Sequence, residues 1–393
     1  MYVLRGGRVA DADGTREADV AVADGEVVAV GDPDAVDAAV DGAGDEVTTL
    51  DVDGQVVAPG LIDAHVHVMM DGRPDVATAV ADSDYTASYR AAGNLQAAVA
   101  AGVTTVRDLG SRGTLALDAG RAVEAGEIEG ARVVGCGRNV IMTGGHGNWF
   151  GREADGPAEV RKAAREQLKA GADVLKCMAT GGVLTEGAVT GAPELTPEEL
   201  AAFTDAAAPT DTPTAAHAHG EEGIKNAVEA GISSIEHGTF MDREAAEMMA
   251  ERGTYWVPTA SALRGIVENG VEAGIPEDAV AKAEDAADRF DDAWDHALEA
   301  DVPIAMGTDA GTPFNFFEDI PRELSYMVDY GLSPAAALEA ATVNAADLLG
   351  LDDVGRVEAG YRADLVVLDA DPTEDVTAWQ EPEAVFARGD RVE

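Results

Sequence analysis

Two histidines separated by a single residue, His65 and His67, stand at the end of the apolar segment 56–64. Residues two apart in a strand point to the same side, so both imidazoles can bind one metal ion from a single strand end. The chain has seven histidines among its 393 residues, and three more of them, His217, His219 and His237, end other strand-like segments. Two surface histidines are the alternative interpretation of the pair alone, but this clustering at strand ends favours metal binding.

A lysine and an aspartate end two further strand-like segments. Lys176 lies within an apolar segment, where an unpaired ammonium group is costly to bury. Asp309 follows the last such segment, where it could instead cap a helix. A lone buried histidine is more often a packing residue than a ligand, but these residues at successive strand ends together indicate one chemical site.

The charge balance is the second distinctive property of the chain. It has 27 basic and 74 acidic residues, a formal net charge of -47, and only five lysines. A globular chain this acidic and this poor in lysine resembles proteins of halophiles that accumulate salt, with an ordinary acidic cytosolic enzyme as the alternative. Such a surface repels nucleic acid and anionic membranes, so neither is an expected partner. A hydrophobic fraction of 46% is sufficient for a packed core.

The first residues, 1–8, lack the apolar core of a signal peptide, and no apolar run has the length of a membrane span. We therefore expect a soluble cytoplasmic protein. Cys136 and Cys177 lie in apolar strand-like segments and are expected to be buried free thiols.

Both ends of the chain have the pattern of short strands joined by tight turns. Segments 8–10, 18–22 and 26–30 are separated by Asp13-Gly14 and Asp24-Gly25, which are hairpin signals. Segments 363–369 and 384–392 have the same pattern at the other end. We predict that residues 1–57 and 356–393 together form one small composite β-sandwich.

Between these ends, apolar strand-like segments alternate with helical stretches rich in Ala and Glu, which is typical of a parallel α/β sheet. The predicted strands are 61–68, 103–108, 131–140, 174–178, 214–219, 233–237, 255–258 and 303–309. The predicted helices include 157–170, 197–207, 221–230 and 277–300. Eight such units predict a TIM (β/α)8 barrel over residues 58–355, whose active site gathers side chains from the carboxyl ends of the strands. The alternative, a doubly wound sheet, lacks a Gly-X-Gly-X-X-Gly loop after its first strand.

At these positions the sequence resembles the amidohydrolase superfamily. The resemblance extends nearly end to end and is closest to the branch of prolidase-like dipeptidases and imidazolonepropionase-like amidohydrolases. Families of this kind often form dimers or larger rings, so a homo-oligomer is expected. The motifs that carry the resemblance are 59–67 with its two histidines, 171–176 ending in Lys176, His217-Ala218-His219-Gly220, Ile235-Glu236-His237-Gly238, Gly307-Thr308-Asp309-Ala310, Ala179-Thr180-Gly181-Gly182 and 142–147, which reads Met-Thr-Gly-Gly-His-Gly.

The resemblance implies two divalent metal ions, zinc in the first place, with manganese or cobalt as alternatives. His65, His67 and Asp309 would bind the first metal, and His217 and His237 the second. Lys176 would bridge the two as a carbamate formed with carbon dioxide. A protonated ammonium has no lone pair to donate, whereas a carbamate offers two anionic oxygens suited to metals about 3.5–4 Å apart.

The reaction implied by the resemblance is hydrolysis of an amide-type C–N bond. A metal-bridging hydroxide would attack the carbonyl, which one metal polarises. Asp309 would take the proton from the attacking water and pass it to the leaving nitrogen. Asp309 and Lys176 are thus the expected catalytic residues.

Three further polar residues are predicted to contact the substrate, chiefly its carboxylate. His146 follows the third strand in a Gly-rich stretch, His219 lies two residues after His217, and Arg152 follows a few residues later than His146. The alternatives are a loop histidine bonded to backbone and a solvent-facing arginine. The sequence departs from the resemblance at His219, where dipeptidases of this branch often carry Tyr. Arg107-Asp108, at the end of the second strand, is interpreted as a buried ion pair.

The leading functional hypothesis is a metal-dependent hydrolase of a dipeptide or N-acyl amino acid. A second hypothesis keeps the fold but opens a cyclic amide, as imidazolonepropionase does, or deaminates a ring. Such enzymes commonly use one metal and lack the bridging lysine, so Lys176 argues against them. A third hypothesis is a non-catalytic scaffold, but such proteins tend to lose ligands and this set is complete.

Overall fold

Strands dominate both ends of the chain and alternate with helices between them in the computed structural model, which describes residues 1–41 and 47–392. The strands in these residues are β1 (Tyr2–Arg5), β2 (Arg8–Asp11), β3 (Gly14–Glu17), β4 (Asp19–Ala23), β5 (Glu26–Gly31), β6 (Thr48–Asp51), β7 (Val56–Pro59), β8 (Leu61–Val66), β9 (Val103–Asp108), β10 (Arg132–Gly135), β11 (Val140–Ile141), β12 (Arg152–Glu153), β13 (Leu175–Met178), β14 (Thr214–Gly220), β15 (Ser234–Phe240), β16 (Tyr255–Val257), β17 (Leu365–Leu368), β18 (Ala384–Ala387) and β19 (Asp390–Arg391).

The helices are distributed mainly through the central part of the chain. In the described residues they are α1 (Pro33–Val40), α2 (Val76–Val80), α3 (Asp84–Ala100), α4 (Leu115–Glu124), α5 (Pro157–Ala170), α6 (Pro197–Ala207), α7 (Glu221–Glu229), α8 (Arg243–Arg252), α9 (Ala260–Asn269), α10 (Glu277–Glu299), α11 (Arg322–Asp329), α12 (Pro334–Ala340) and α13 (Val343–Leu349).

The two ends of the chain pair with each other. Within the described residues they form a four-stranded sheet in the order β5-β4-β1-β6 and a six-stranded sheet in the order β19-β18-β17-β7-β2-β3. Strands β7 and β17 are antiparallel neighbours, so the N-terminal and C-terminal segments share one sheet. Leu4, Val57, Leu365 and Phe386 are buried in one hydrophobic cluster. The predicted turns are confirmed, because β2–β3 and β4–β5 are antiparallel hairpins across them.

The central strands are parallel, and the α/β class predicted from the sequence is confirmed. In the described residues they form two sheets, β10-β9-β8 and β12-β11-β13-β14-β15-β16. A backbone hydrogen bond joins the sheets where Asp173 N donates to Gly135 O (2.9 Å). On the other side, the segment 303–310 lies between β16 and β8: Trp256 N donates to Pro303 O (2.8 Å) and Ala64 N donates to Met306 O (2.8 Å).

Two of the predicted strands differ from the structure. The third, 131–140, is divided into β10 and β11. The eighth, 303–309, is not a regular strand and makes only isolated bridges, Trp256 with Ile304 and Val66 with Ala310. A Cβ at Gly307 in this segment would stand 2.4 Å from Val257 Cγ1 and 3.0 Å from His65 N. The backbone of this segment therefore approaches β8 more closely than a side chain would allow.

The four named helices are confirmed as α5, α6, α7 and α10. Local signals fix their ends. Helix α5 begins with Pro157 and ends at Gly171, which has a left-handed φ of 96°. Helix α6 has a capping box between Thr196 and Glu199. These signals explain why the helix bounds could be read from the sequence.

The exposed faces of the helices concentrate the negative charge. Helix α10 has nine acidic residues in 23, against one lysine and one arginine. Among the described residues, no helix is both long enough and apolar enough to cross a membrane.

We predict that the stability of the fold rises steeply with salt. A net charge of -47 causes self-repulsion that is screened only when the Debye length is short, about 3 Å at 1 M salt. Thermal melts from low to multimolar potassium chloride should show a large increase in Tm. Sucrose is the control, since it favours the compact state without screening charge. A Tm that does not change with potassium chloride would contradict the halophile interpretation.

Candidate metal centre

A cavity of about 730 Å³ lies at the carboxyl ends of the central strands. The cavity brings together eight of the nine residues that the sequence singled out, and all eight are buried. They are His65, His67, His146, Lys176, His217, His219, His237 and Asp309.

The two histidines at the end of β8 have fixed ring orientations. His65 Nδ1 lies 2.9 Å from Glu236 Oε2, and His67 Nδ1 lies 2.9 Å from the carbonyl oxygen of Gly110. Their other ring nitrogens face Asp309: its Oδ1 is 3.4 Å from His65 Nε2 and 3.2 Å from His67 Nε2. Because Nδ1 is held by an acceptor, Nε2 is the nitrogen left with a lone pair.

The histidines of β14 and β15 continue the cluster. The ring of His217 lies 4.6 Å from that of His237 and 4.7 Å from that of His219, centroid to centroid. His237 in turn is 5.1 Å from His65. Threonine hydroxyls orient two of these rings. Thr259 Oγ1 lies 2.7 Å from His237 Nδ1, and Thr239 Oγ1 lies 2.7 Å from His219 Nδ1. The imidazoles of three strands therefore form one continuous group.

Two of the predicted ligands have unusual backbone conformations. His237 and Asp309 have φ angles of 68° and 62°, in the left-handed region that residues other than glycine seldom adopt. Hydrogen bonds from neighbouring strands hold both: Trp256 Nε1 donates to His237 O (2.8 Å), and Asp309 N donates to His65 O (2.7 Å). Such backbone strain is concentrated at functional sites in proteins.

Lys176, in the middle of β13, is almost completely buried, with 2% of its surface exposed. Burial lowers the pKa of its ammonium group, although the carboxylates of Glu236 and Asp309 oppose that shift. A lysine with a lowered pKa exposes the lone pair of its amine more often than an ordinary surface lysine does.

Burial favours the neutral form of the imidazoles in the cavity except that of His67, whose pKa the Asp309 carboxylate raises. It lowers the pKa of His65 to about 4, that of His219 to about 4 and that of His146 to about 3. The neutral imidazole is the form that donates a lone pair to a metal. Burial alone would raise the pKa of Asp309, but the facing His65 and His67 lower it by more than burial raises it. The net shift is downward, so the carboxylate is ionised at neutral pH.

The donor set fits divalent metal ions. Ligand atoms of His65, His237 and Asp309 lie within 4.8 Å of one another. Among the described residues, His217 Nε2 and Asp309 Oδ1 find no hydrogen-bond partner although both are buried. Buried polar atoms that lack a hydrogen-bond partner are expected where a cation binds.

Of the three residues predicted to contact the substrate, two line the cavity and one does not. His146 lines the cavity with its Nδ1 2.8 Å from Thr185 Oγ1, and His219 lines it with its Nδ1 2.7 Å from Thr239 Oγ1. Arg152 does not reach the cavity. Its Nε donates to Glu166 Oε2 (2.8 Å), and it borders a separate surface depression with Arg138. The prediction for Arg152 is corrected: this ion pair with helix α5 holds the guanidinium away from the site.

Glu236 is a site residue that the sequence did not reveal. Its side chain is fully buried, and its Oε1 accepts hydrogen bonds from Arg107 Nη2 (2.9 Å) and Ser234 Oγ (2.6 Å). The predicted Arg107–Asp108 ion pair is therefore wrong. Asp108 instead accepts from the backbone N–H groups of Val68 (2.8 Å) and Gly110 (3.1 Å). The one available signal was an acidic residue inside a buried strand next to His237.

Comparisons with known proteins agree with this geometry. The family profile described as Amidohydrolase family matches residues 56–392. Ochratoxinase from Aspergillus niger is 33% identical over 362 residues, covering 84% of this chain and 73% of the relative. A solved Xaa-Pro dipeptidase with bound methionine is 31% identical, with a TM-score of 0.91, and covers 100% of this chain and 99% of that one. A solved prolidase complexed with N-methylphosphonate-L-proline is 29% identical, with a TM-score of 0.90 and coverage of 100% and 99%.

We predict that Glu236→Gln strongly destabilises the fold. The substitution leaves the buried guanidinium of Arg107 without its counter-charge, which costs about 3–5 kcal/mol of the free energy of unfolding. Urea denaturation of the metal-free protein in high salt measures this loss.

The matched control for that experiment is Asp118→Asn. Asp118 pairs with Arg121 at 2.7 Å, but both side chains are more than half exposed. Its loss should therefore cost only about 0–1 kcal/mol. Equal, small effects of the two substitutions would show that the Glu236–Arg107 pair does not stabilise the site.

Proposed function

Because the chain belongs to the amidohydrolase family, in its prolidase-like branch, we propose that it is a metal-dependent hydrolase that cleaves dipeptides or N-acyl amino acids at the amide C–N bond. The observation that carries the proposal is one cavity in which five histidines of three parallel strands meet Lys176 and Asp309. Similarity to an ochratoxinase and to a Xaa-Pro dipeptidase supports amide bonds as the target. A panel of dipeptides, N-acyl amino acids and cyclic amides, assayed in high salt with zinc or manganese, tests it.

The proposed frame for this site is a TIM barrel over residues 58–355, beside a composite β-sandwich of residues 1–57 and 356–393. The hydrogen bonds at Gly135 and along 303–310, which join the two parallel sheets on both sides, support closure of the barrel. The shared hydrophobic cluster of both chain ends supports the sandwich. Of these ranges, residues 42–46 and Glu393 lie outside the described residues.

We assign His65, His67 and Asp309 to a first divalent metal and His217 and His237 to a second, with zinc preferred and manganese or cobalt as alternatives. Lys176, as a carbamate, would help to hold both. Its amine nitrogen forms a bond to the carbon of carbon dioxide and loses one proton. The burial of Lys176 among these residues supports this modification. When bound, the two cations would supply Lewis-acid activation of water and of the substrate carbonyl.

Asp309 is the proposed proton carrier. Its ionised carboxylate takes a proton from the attacking water and passes it to the leaving nitrogen. The position of Asp309 Oδ1 in the cavity, beside the Nε2 atoms of His65 and His67, supports this role. His146 and His219 are proposed to contact the substrate, because their Nδ1 atoms are held by threonines and both rings line the cavity.

Opening of a cyclic amide, or deamination of a ring, is the second candidate. Lys176 disfavours it because enzymes of that kind commonly bind one metal without a bridging lysine. A non-catalytic scaffold is disfavoured because all six proposed ligands are present and buried.

We predict about two metal equivalents per chain and a carboxylated Lys176, as a two-metal site requires. Lys176→Ala should abolish activity and remove most of the second metal. Elemental analysis and mass spectrometry of protein prepared with metal and bicarbonate measure both. Lys169→Ala, on the exposed face of α5, is the control and should leave metal content unchanged. Full activity of Lys176→Ala would exclude the bridging role.

We predict that Asp309→Asn lowers kcat at least ~10²-fold, within the usual contribution of general acid–base catalysis. Asn tolerates the left-handed backbone of this position, so the fold should survive. Asp301→Asn is the matched control, because Asp301 has a similar φ of 56° but is exposed and distant from the cavity. Wild-type kcat in Asp309→Asn would require another base.

A further inference from the structure

The first turn of helix α9 is capped by a side chain from another helix. Glu323, in the first turn of α11, is completely buried, and its carboxylate faces the start of α9. Ala260 N donates to Glu323 Oε1 (2.7 Å), and Ser261 donates to Glu323 Oε2 through its N (2.8 Å) and its Oγ (2.5 Å). A carboxylate at this end of a helix is also stabilised by the helix dipole. These contacts offset the burial of the charge and fix the position of the first turn of α9.

The residue that would ordinarily cap this helix makes a different contact. Thr259 directly precedes α9, and a threonine in that position usually accepts a hydrogen bond from the second or third N–H group of its own helix. Thr196 does so at the start of α6, where it accepts from Glu199 N. The hydroxyl group of Thr259 makes no such bond and lies 2.7 Å from His237 Nδ1 instead. Capping of α9 is therefore left to Glu323.

The backbone of Thr259 is what directs its hydroxyl group away from the helix. Its φ of 56° and ψ of 49° are left-handed, which is a strained conformation for a β-branched residue. Thr196, which caps its own helix, has the usual extended backbone, with φ of -70° and ψ of 160°. A strained conformation persists only where its surroundings hold it. The peptide that follows Thr259 is held in this way, because its N–H group, Ala260 N, donates to Glu323.

We infer that Glu323 is a positioning residue for His237, and that it acts through the first turn of α9 and the hydroxyl group of Thr259. The inference rests on the proposed function, in which His237 binds the second metal. When its Nδ1–H donates to the Thr259 hydroxyl oxygen, His237 keeps the lone pair of Nε2 for a metal ion. Without the Glu323 carboxylate, Thr259 would relax from its left-handed conformation and cap α9 itself, which withdraws its hydroxyl group from His237.

Zinc binding by single and double variants tests the inference in high salt. Thr259→Val removes the hydroxyl group at constant shape, and Glu323→Gln replaces one acceptor oxygen by an N–H donor that faces the donors of α9. Each should weaken binding of the second equivalent of zinc about tenfold or more, measured by competition with a chelator, as loss of a group that orients a metal ligand does. The double variant should bind zinc no more weakly than Thr259→Val alone, because Glu323 acts through Thr259. Unchanged zinc affinity in Glu323→Gln, or losses that multiply in the double variant, would overturn the inference.

The matched control is Glu199→Gln at the start of α6. Glu199 is also buried and also accepts from backbone N–H groups, those of Gly156 (2.6 Å) and Thr196 (2.8 Å), but it does not line the cavity. Its loss should lower the Tm as Glu323→Gln does and leave the zinc affinity within about threefold of wild type. An equal loss of zinc affinity in the control would show a general effect of destabilisation and contradict the inference. If Glu323→Gln does not fold, Ser261→Ala, which removes only the hydroxyl donor, takes its place. It should weaken zinc binding about threefold, and unchanged affinity would again count against the inference.

A measurement on the metal-free protein separates this inference from the proposed function. NMR of the histidine ring nitrogens reports the tautomer of each imidazole, and the His237 signals are those that disappear in His237→Asn. His237 should carry its proton on Nδ1 in wild type and in Glu199→Gln, and should populate the Nε2–H tautomer in Glu323→Gln and Thr259→Val. If the wild-type protein binds no second metal and hydrolyses no amide, the proposed function fails, but this comparison still decides the inference. The same His237 tautomer in wild type and in Glu323→Gln would overturn it.

Discussion

The ion pair between Glu236 and Arg107 is the interaction on which the site depends. Arg107 also donates to Ser234 Oγ and to the carbonyl oxygen of Ala64, so one guanidinium joins β9 to β8 and β15. The second carboxylate oxygen of Glu236 fixes the ring of His65. Burial alone would raise the pKa of Glu236, but Arg107 and the His65 contact lower it to about 2. The charge that holds three strands together therefore also orients a proposed metal ligand.

Strand geometry alone would not bring these ligands together. In a regular strand Glu236 and His237 would point to opposite faces, yet Glu236 contacts His65 Nδ1 and the His237 ring lies 5.1 Å from the His65 ring. The left-handed backbone at His237 interrupts the alternation, and the same conformation turns Asp309 toward β8. Each of these conformations costs about 1–3 kcal/mol. The hydrogen bond that Trp256 donates to His237 and the one that His65 O accepts from Asp309 N offset part of that cost.

The Glu236–Arg107 ion pair and the left-handed backbone at His237 and Asp309 were not predicted from the sequence, whereas other features were. The spacing of His65 and His67, the hairpin at Asp24 and the end of α5 at Gly171 follow from local rules of periodicity and backbone preference, and the structure agrees with them. The partner of Arg107 could not be read locally, because Glu236 is distant in sequence and only the parallel sheet brings it near. For the same reason the contribution of helix α9 to the cavity wall could not be predicted, and Arg152 pairs with Glu166 of α5 instead of reaching the cavity as expected.

The distribution of charge connects the surface of the protein with the chemistry of the cavity. A chain with a net charge of -47 attracts divalent cations and repels anions at long range. Its buried imidazoles and its buried lysine lie inside that negative field. At low salt the field would favour metal uptake and oppose the approach of an anionic substrate. At molar salt, where the Debye length is about 3 Å, only direct contacts would discriminate between substrates. The apolar side chains that line the cavity, among them Phe150 and Leu263, provide such contacts without relying on charge, so they would still act at the high salt that we predict the acidic surface needs.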